Sequence, residues 1–581
     1  MAWYRNIHKM GFVIRLSYNV WSYEDKNSLE DSMSQELKVI MAQLNFLVGD
    51  IDGNTQIVIE SAQKAIDQYS ADVIVFPELA LTGYPLEDLL LRPSLQIRIN
   101  KAIARIQEEK LGITIVVGFP KVRESELYNA LGIIENGVLR GCYFKQCLPN
   151  YQVFDERRYF KQGSDACIVE IKNIRCAFTI CEDMWESGPM QQAKAEGAQL
   201  LININASPFH IKKLEERKKL LNKRSQEGGI PIIYVNLVGG QDELVFDGGS
   251  MAVSTKGECC YLAPNYVQGL YPVSVSLNRK GVCEILKQEI ANNLSVEEDV
   301  YRALVLGVRD YVTKNNFKGV VLGLSGGIDS ALTLAIATDA LGAERVQAVM
   351  MPFEYTSQLS LNAAEKQAIN LGVTYKVIPI NDIYSAFMSA LRAEFADSEF
   401  DVSEQNIQAR ARGVLLMGIS NKKGLLVLTT GNKSEIAVGY STLYGDMAGG
   451  FNVLKDVSKT LVYRLAYHRN HNSSSEDIEI IPQEVIDRAP SAELLPGQID
   501  QDSLPDYHQL DAILEYYVEK DFSAQAIIEK GFDEDIVRRV LRLVDLNEYK
   551  RRQSPVGVRL TERSFGRDRR YPITNAWPIG E

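Results

Sequence analysis

The run Val320-Val321-Leu322-Gly323-Leu324 leads without a spacer into Ser325-Gly326-Gly327-Ile328-Asp329-Ser330 and then into a helical pattern. Few arrangements accept such a segment. A short, continuous apolar run reads as a strand buried on both faces, which belongs in a helix-covered parallel sheet. The two glycines let backbone N–H groups approach a phosphate closely, and the following helix adds positive charge at its N-terminus. Asp329 suits a Mg²⁺ ion that bridges phosphate oxygens. The loop lacks the lysine of the G-x-x-x-x-G-K-[ST] motif, and its adjacent glycines do not fit G-x-G-x-x-G. A glycine pair alone is also an ordinary turn. The coincidence of strand, loop, Asp and helix favours phosphate binding.

The rest of the chain repeats this alternation. Apolar strand runs are expected at Val39-Ile40-Met41-Ala42-Gln43-Leu44, Val73-Ile74-Val75-Phe76 and Ile113-Thr114-Ile115-Val116-Val117-Gly118, and over residues 176–180, 200–204 and 232–237. At about 100–200 residues per domain, 581 residues imply two to four units. The pattern breaks near residue 285, and Ser295-Val296-Glu297-Glu298 resembles a capping box opening a helix to about Asn315. We therefore expect one α/β unit over residues 37–285 and a second over 286–581. Residues 1–36 read as an extension outside the fold, with Met33 an alternative start. Residues 470–477, with three consecutive serines, read as a surface loop.

Composition narrows the chemistry. With 63 basic and 75 acidic residues the net charge is −12, which argues against a sequence-independent grip on nucleic acid. Hydrophobic content of 46% supports large cores and excludes wholesale disorder. Five histidines make a His-rich metal site improbable. The eight cysteines show no C-x-x-C spacing, so a reducing, cytoplasmic compartment is expected. No uncharged apolar stretch reaches the roughly 18 residues of a membrane span, so no membrane partner is expected. Arg15 interrupts the Gly11-Phe12-Val13-Ile14 run too early for a signal peptide.

The loop at Ser325 resembles that of the N-type ATP pyrophosphatases, which split ATP between its α- and β-phosphates to adenylate an acceptor. Further segments narrow the family: Glu404-Gln405-Asn406-Ile407-Gln408-Ala409-Arg410-Ala411-Arg412-Gly413, Leu428-Thr429-Thr430-Gly431-Asn432-Lys433-Ser434-Glu435, Leu454-Lys455-Asp456-Val457-Ser458-Lys459-Thr460 and Phe565-Gly566-Arg567-Asp568-Arg569-Arg570-Tyr571. Together they resemble the NAD⁺ synthetases. The resemblance implies a Rossmann-like parallel sheet, with Gly323, Leu324, Ser325, Gly326, Gly327, Ile328, Asp329 and Ser330 cradling ATP phosphates. Thr430 and Lys459 would also touch ATP. Asp329 and Glu435 would hold Mg²⁺, and Asn406, Arg410, Glu435 and Lys550 would contact deamido-NAD⁺. Residues 549–571 hold eight Lys/Arg, read here as a dinucleotide-phosphate site or subunit contact rather than a nucleic-acid patch.

Three segments of the first unit fall at expected strand ends: Phe76-Pro77-Glu78-Leu79, Tyr143-Phe144-Lys145-Gln146 and Thr179-Ile180-Cys181-Glu182-Asp183. A cysteine after an apolar strand is usually core, but the charged residues following Cys181 place it at an exposed strand end. Its thiolate would attack a carboxamide, with Glu78 taking the proton and Lys145 stabilising the tetrahedral intermediate. This set resembles the nitrilase–amidase superfamily, whose fold is an αββα sandwich, over about residues 37–280. The contexts Leu148-Pro149-Asn150-Tyr151-Gln152-Val153-Phe154-Asp155-Glu156 and Asn205-Ala206-Ser207-Pro208-Phe209 resemble glutaminase domains fused to NAD⁺ synthetase. By that resemblance Tyr151, Ser207 and Lys213 would bind glutamine, Tyr84 and Phe154 would line its pocket, and Glu156 would orient the catalytic group. Lys212 competes with Lys213 for its role.

The resemblances imply an enzyme that frees ammonia from glutamine and uses ATP to amidate deamido-NAD⁺. Free ammonia is mostly ammonium at neutral pH and is then no nucleophile, so a dry channel between the sites, completed by a homo-oligomer, is expected. A different acceptor, another nucleotide or a tRNA, is the alternative.

Overall fold

A computed structural model describes residues 35–581, apart from residues 397, 473–478, 492 and 496. The expected extension over residues 1–36 lies outside them but for residues 35 and 36, and the serine-rich segment does so for the most part. Asn470 and His471 belong to a helix.

Strands β1 (Gln35–Gln43), β2 (Val73–Val75), β3 (Thr114–Arg123), β4 (Glu126–Glu135) and β5 (Val138–Phe144) begin one sheet. A second sheet takes β6 (Ile168–Ile171), β7 (Ile174–Ile180), β8 (Leu200–Asn205) and β9 (Ile232–Asn236). The hairpin β10 (Val238–Gln241) and β11 (Leu244–Asp247) stands apart. Strands β12 (Met251–Val253) and β13 (Cys259–Leu262) then complete the second sheet, and β14 (Gly269–Leu277) and β15 (Cys283–Ile285) return to the first. Helices α1 (Ile51–Tyr69) and α2 (Pro93–Glu108) belong to the first sheet's outer face, and α3 (Gly188–Ala195) and α4 (Lys213–Gly228) to the second's.

Strand alternation builds these layers. In β1, Leu37, Val39 and Met41 join Ile174, Cys176 and Phe178 of β7 in the core between the sheets. Ile40 and Ala42 point the other way, into the core made with Ile51, Val58 and Ile99 of α1 and α2. On the far side Leu201, Ile232 and Tyr234 pack against Met190 and Leu221 of α3 and α4. Both faces of both sheets are covered, which makes this unit an αββα sandwich.

The second unit opens with α5 (Val296–Lys314), whose N-cap Ser295 accepts a hydrogen bond from Glu298 N at 3.2 Å. That is half of the expected capping box. Glu298 pairs with Arg302 instead of reaching back. Strand β16 (Val320–Gly323) feeds α6 (Ile328–Leu341), followed by β17 (Val346–Met350), α7 (Gln358–Leu371), β18 (Thr374–Val377), α8 (Asn381–Leu391) and α9 (Val402–Lys423). Then come β19 (Leu426–Thr429), α10 (Lys433–Val438), β20 (Phe451–Asn452) and α11 (Lys459–His471). The strands are all parallel, in the order β18-β17-β16-β19-β20. Val320 and Leu322 face α5 and α6, while Val321, Val349 and Val427 face α9, so the sheet is covered on both sides. The chain leaves β16 outward to β17 and β18, then crosses back to β19. That reversal opens a crevice beyond the carboxyl ends of β16 and β19.

The two units share one core. Phe209, Val238 and Val245 of the sandwich cluster with Val300, Leu304 and Val558 of the second unit. Helix α5 lies close to the C-terminal segment at Val558 because Gly307 carries no side chain: a Cβ there would sit 2.5 Å from Val558 Cγ2. Asp310 accepts from Asn45 Nδ2 at 2.6 Å and from Gly240 N at 2.7 Å.

Candidate active sites

Glu78 follows β2 by three residues, while Lys145 and Cys181 directly follow β5 and β7. The ends of strands from both sheets thus converge on one point. Glu78 and Lys145 are about 1% exposed and Cys181 6%. Lys145 Nζ donates to Glu78 Oε1 at 2.7 Å and to Glu156 Oε1 at 2.8 Å. Asn129 Nδ2 also donates to Glu78 Oε1, at 2.7 Å, and Ala206 N to Glu78 Oε2, at 3.0 Å. Burial works against the Lys145 ammonium, but Glu156 and Glu78 outweigh it and hold its pKa well above the usual lysine range. Burial, Glu78 and Glu182 push the Cys181 thiol well up, and Lys145 only partly opposes them. Cys181 is therefore a neutral thiol at rest, with the Glu78 side chain among the groups that hold it so. Burial also lifts Glu156 to about 7, with Lys145 drawing it down.

The turn that presents Cys181 is held from several sides. Cys181 has φ 45°, a left-handed conformation unusual for a side-chain-bearing residue. Asp183 fixes it by accepting from Ile180 N at 2.9 Å, Gln146 N at 3.0 Å, Cys147 N at 2.8 Å and Tyr143 OH at 2.8 Å. One buried carboxylate thus ties the Cys181 turn to the Lys145 strand end.

Tyr84 is buried and donates to Glu156 Oε1 at 3.2 Å. Tyr151 is exposed at the rim, donating to Glu182 Oε1 at 2.9 Å, with its ring 5.8 Å from that of Phe154. Ser207 is buried, its backbone carbonyl accepting from Arg217 Nη2 at 2.8 Å. Lys213 Nζ lies 4.2 Å from the Trp185 ring centre and 3.2 Å from Glu216. Burial lowers its pKa, and a Cys181 thiolate would raise it, whereas Lys212 points to solvent. Geometry favours Lys213.

The second site is a cavity of about 760 Å³ at the β16–β19 crevice. Gly323, Leu324, Ser325, Gly327, Ile328, Asp329 and Ser330 line it, with Thr430, Glu435, Lys459, Asn406 and Lys550. Gly326 has φ 82°, and a Cβ there would lie 2.5 Å from Ser360 O. Lys459 Nζ reaches Asp329 Oδ2 at 2.6 Å and Glu435 Oε1 at 3.2 Å. Asn432 Nδ2 donates to Asp329 Oδ1 at 2.9 Å. Burial drives Glu435 up to about 8; Lys459 draws it down and Asp329 pushes it up. Among the described residues no three His, Cys, Asp or Glu gather for a metal. Asp329 and Glu435 nonetheless suit Mg²⁺, a hard cation bound through one or two carboxylates together with substrate phosphates.

Lys550 Nζ donates to Gly439 O at 2.8 Å and Ser441 O at 3.0 Å, and Asn406 accepts from Thr442 Oγ1 at 2.8 Å. Arg410 is not brought to the cavity. It is exposed, its Nε donating to Leu443 O at 3.2 Å, and Arg412 lines the cavity instead. Of the basic C-terminal run only Lys550 lines this cavity, and other arginines of the run are taken up in internal and inter-unit contacts. Arg559 is buried against Asp568 at 2.7 Å, Arg569 lies 3.7 Å from the Tyr571 ring centre, and Arg567 and Arg570 pair with Glu87 and Asp155 of the sandwich. Asp183, Asn129 and Asn432 support the sites although no role was expected of them; Asp183 and Asn432 lie inside the segments that carry the resemblances, and Asn129 lies in none.

An amidase-type cluster and a phosphate-loop cavity in one chain define a two-part enzyme that couples carbon–nitrogen bond cleavage to nucleotide chemistry. Residues 38–279 match the carbon-nitrogen hydrolase family and residues 300–554 the NAD synthase family. The glutamine-dependent NAD(+) synthetase of Acinetobacter baylyi is 48% identical over 94% of this chain and 99% of its own. That of Aquifex aeolicus is 44% identical over 93% and 99%. The solved structure of the Acinetobacter baumannii enzyme, in complex with ADP, matches at 47% identity with a TM-score of 0.76, covering 94% of this chain and all of that one. A glutamine-dependent NAD(+) synthetase from Cytophaga hutchinsonii, at 21% identity and a TM-score of 0.78 over 93% and 98%, shows the same fold. This chain belongs to the glutamine-dependent NAD⁺ synthetase family.

Proposed function

We propose that residues 37–285 hydrolyse glutamine to glutamate and ammonia, and that residues 286–581 use ATP and that ammonia to convert deamido-NAD⁺ to NAD⁺. Cys181 attacks the side-chain amide as Glu78 takes its proton, giving a thioester that water then hydrolyses. Lys145 stabilises the oxyanion, and Glu156 and Tyr84 hold Lys145 in place. Tyr151, Ser207, Lys213 and Phe154 hold the glutamine. In the second unit the loop of residues 323–330, Thr430 and Lys459 hold ATP. Asn406, Glu435 and Lys550 hold deamido-NAD⁺, whose nicotinate carboxylate attacks the α-phosphorus and releases pyrophosphate. Ammonia then displaces AMP. Mg²⁺ bound at Asp329 and Glu435 would neutralise phosphate charge.

The observation that carries this reading is the pairing, in one chain, of the buried Glu78–Lys145–Cys181 cluster with the Asp329–Lys459–Glu435 cluster at the phosphate loop. Incubation with ATP, Mg²⁺, deamido-NAD⁺ and glutamine should yield NAD⁺ and AMP. Cys181→Ala should abolish glutamine use and leave ammonia-driven synthesis intact; loss of both would break the division of labour.

A cytoplasmic homo-oligomer is part of the same proposal. All eight cysteines are free, and among the described residues no helix is long and apolar enough to cross a membrane. Helix α8 buries none of its residues, and Phe387, Val402, Val414 and Met417 lie exposed on α8 and α9, as a subunit contact would require. The domain junction holds a cavity of about 220 Å³ bordered by Val153, Glu243, Lys455, Asp456 and Arg567. A path for ammonia there would be charged rather than dry. Free exchange of external ammonium with glutamine nitrogen in an isotope experiment would refute such a path.

A further inference from the structure

Arg412 carries a charge that no described residue pairs with. It projects from α9 into the 760 Å³ cavity, with Nε donating to Met351 O at 3.0 Å beyond the end of β17. Among the described residues no carboxylate lies within ion-pair distance, and its terminal nitrogens have no hydrogen-bond acceptor. The acidic group that acts on it is Glu493, whose oxygens already accept from Ser360 Oγ at 3.0 and 2.9 Å and from Arg488. Burial pushes the Arg412 guanidinium down to about 10, and Glu493 only partly offsets this.

Arg412 is half-buried, open only to the cavity, and the fully buried arginines of the molecule are treated differently. Arg217 meets Asp247 at 2.8 Å, Arg551 meets Glu548 at 2.9 Å, and Arg559 meets Asp568 at 2.7 Å. Withdrawing a guanidinium from water without an anion is costly, so an unanswered one facing a cavity implies that the anion arrives with a ligand. The Nε bond to Met351 leaves both terminal nitrogens free to donate in parallel, and that fork matches two oxygens of one phosphate. The acidic residues of the cavity gather elsewhere, with Asp329 and Glu435 on Lys459.

We propose that Arg412 holds a phosphate group of a nucleotide bound in this cavity, through its two terminal nitrogens. The inference rests on the reading of the cavity as a nucleotide site. Either ATP or deamido-NAD⁺ can supply that phosphate, and their separate titrations distinguish them.

The test is calorimetric titration of the full chain and its Arg412→Met and Arg412→Lys variants with ATP plus Mg²⁺, with deamido-NAD⁺, and with adenosine, which lacks phosphate. Arg412→Met should weaken one of the two nucleotides by about 10- to 100-fold, the worth of a charge-assisted hydrogen bond or two, and leave adenosine unchanged. Arg412→Lys should recover part of the loss, because it keeps the charge without the fork. Unchanged glutamate release from glutamine shows that each variant is folded; if the Met variant fails this check, the Lys variant alone decides. Unchanged affinity for both nucleotides, or an equal loss for adenosine, overturns the proposal. A wild-type chain that binds neither nucleotide overturns the nucleotide-site reading itself.

Discussion

The proposed nucleophile, Cys181, is governed by burial and by carboxylates rather than by a histidine. Burial and the charges of Glu78, Glu182 and Glu156 push the Cys181 thiol up and outweigh the opposing Lys145, so the proton is held at rest. Alkylation by a neutral reagent should therefore keep accelerating above the ordinary thiol range, about 8.5, in a stopped pH series. A plateau near neutral pH would mean a preformed thiolate. Glu78→Gln should lower glutamate release by about 10²- to 10⁴-fold, the usual worth of a general base, and spare ammonia-driven synthesis. Glu435 gives a second pH dependence. Its carboxyl is pushed up to about 8, so protons would compete with a cation held there, as proposed, throughout the neutral range. The Mg²⁺ needed for half-maximal ammonia-driven synthesis should fall as pH rises towards about 8; a constant requirement would remove Glu435 from the cation site. For stability the sign is opposite. A carboxyl whose folded pKa is raised favours the fold below its ordinary range, and that contribution is lost as pH rises through about 8. Cys181, Glu78 and Lys145 were legible because each ends an apolar run. Asp183 and Asn129 were not, because a buried hydrogen-bonding role leaves no spacing pattern, and Arg410 and Arg412 differ only by which side of one helix each occupies.

The elements that could be read in advance were those with continuous apolar runs and helical crossovers. β1, β2, β7, β8 and β9 lie within a residue or three of the expected runs at one or both ends, because inner parallel strands must be apolar on both faces. β3 also runs five residues past Gly118, into polar Lys121 and Arg123, where it pairs with β4. The antiparallel strands β4–β5 and β12–β15 had no such mark: β5 and β14 mix half-buried with buried positions, and β12 and β15 are only three residues long. The loop between β16 and α6 was the most legible element, and it depends on Gly326. Its φ of 82° and the Ser360 carbonyl 2.5 Å from any added Cβ leave no room for a side chain. Gly326→Ala should cost about 1–2 kcal/mol in backbone conformation before any displacement of α7. Its ATP KM should rise while glutaminase turnover stays at the wild-type value. An unchanged ATP KM would show that the loop's conformation does not shape the nucleotide site.

At the scale of the whole molecule the break near residue 285 marks a change of topology, not a thermodynamic boundary. Phe209, Val238 and Val245 belong to the first unit, yet their neighbours in the core are Val300 and Leu304 of α5 and Val558 near the C-terminus. Backbone bonds also cross the junction: Ile211 N donates to Leu560 O and Arg559 N to Glu243 O, each at 2.8 Å. Arg567 and Arg570 add ion pairs to Glu87 and Asp155, the latter beside Glu156 in the glutaminase site. Sequence periodicity could not show this, because an apolar position is apolar whichever unit covers it. A fragment of residues 35–285 would expose Phe209, Val238 and Val245, and burying such side chains is worth about 1.5–3 kcal/mol each. That fragment should melt well below the intact chain, bind an apolar dye and release glutamate slowly. Extending it to residue 318 restores α5 and with it Val300, Leu304 and Asp310, which should recover part of the melting temperature and reduce dye binding. Because Arg567 and Arg570 are absent from both fragments, glutamate release should remain below that of the intact chain even where stability returns. A 35–285 fragment as stable and as active as the full chain would show that the shared core contributes nothing, and that the two catalytic units are joined only by their chain.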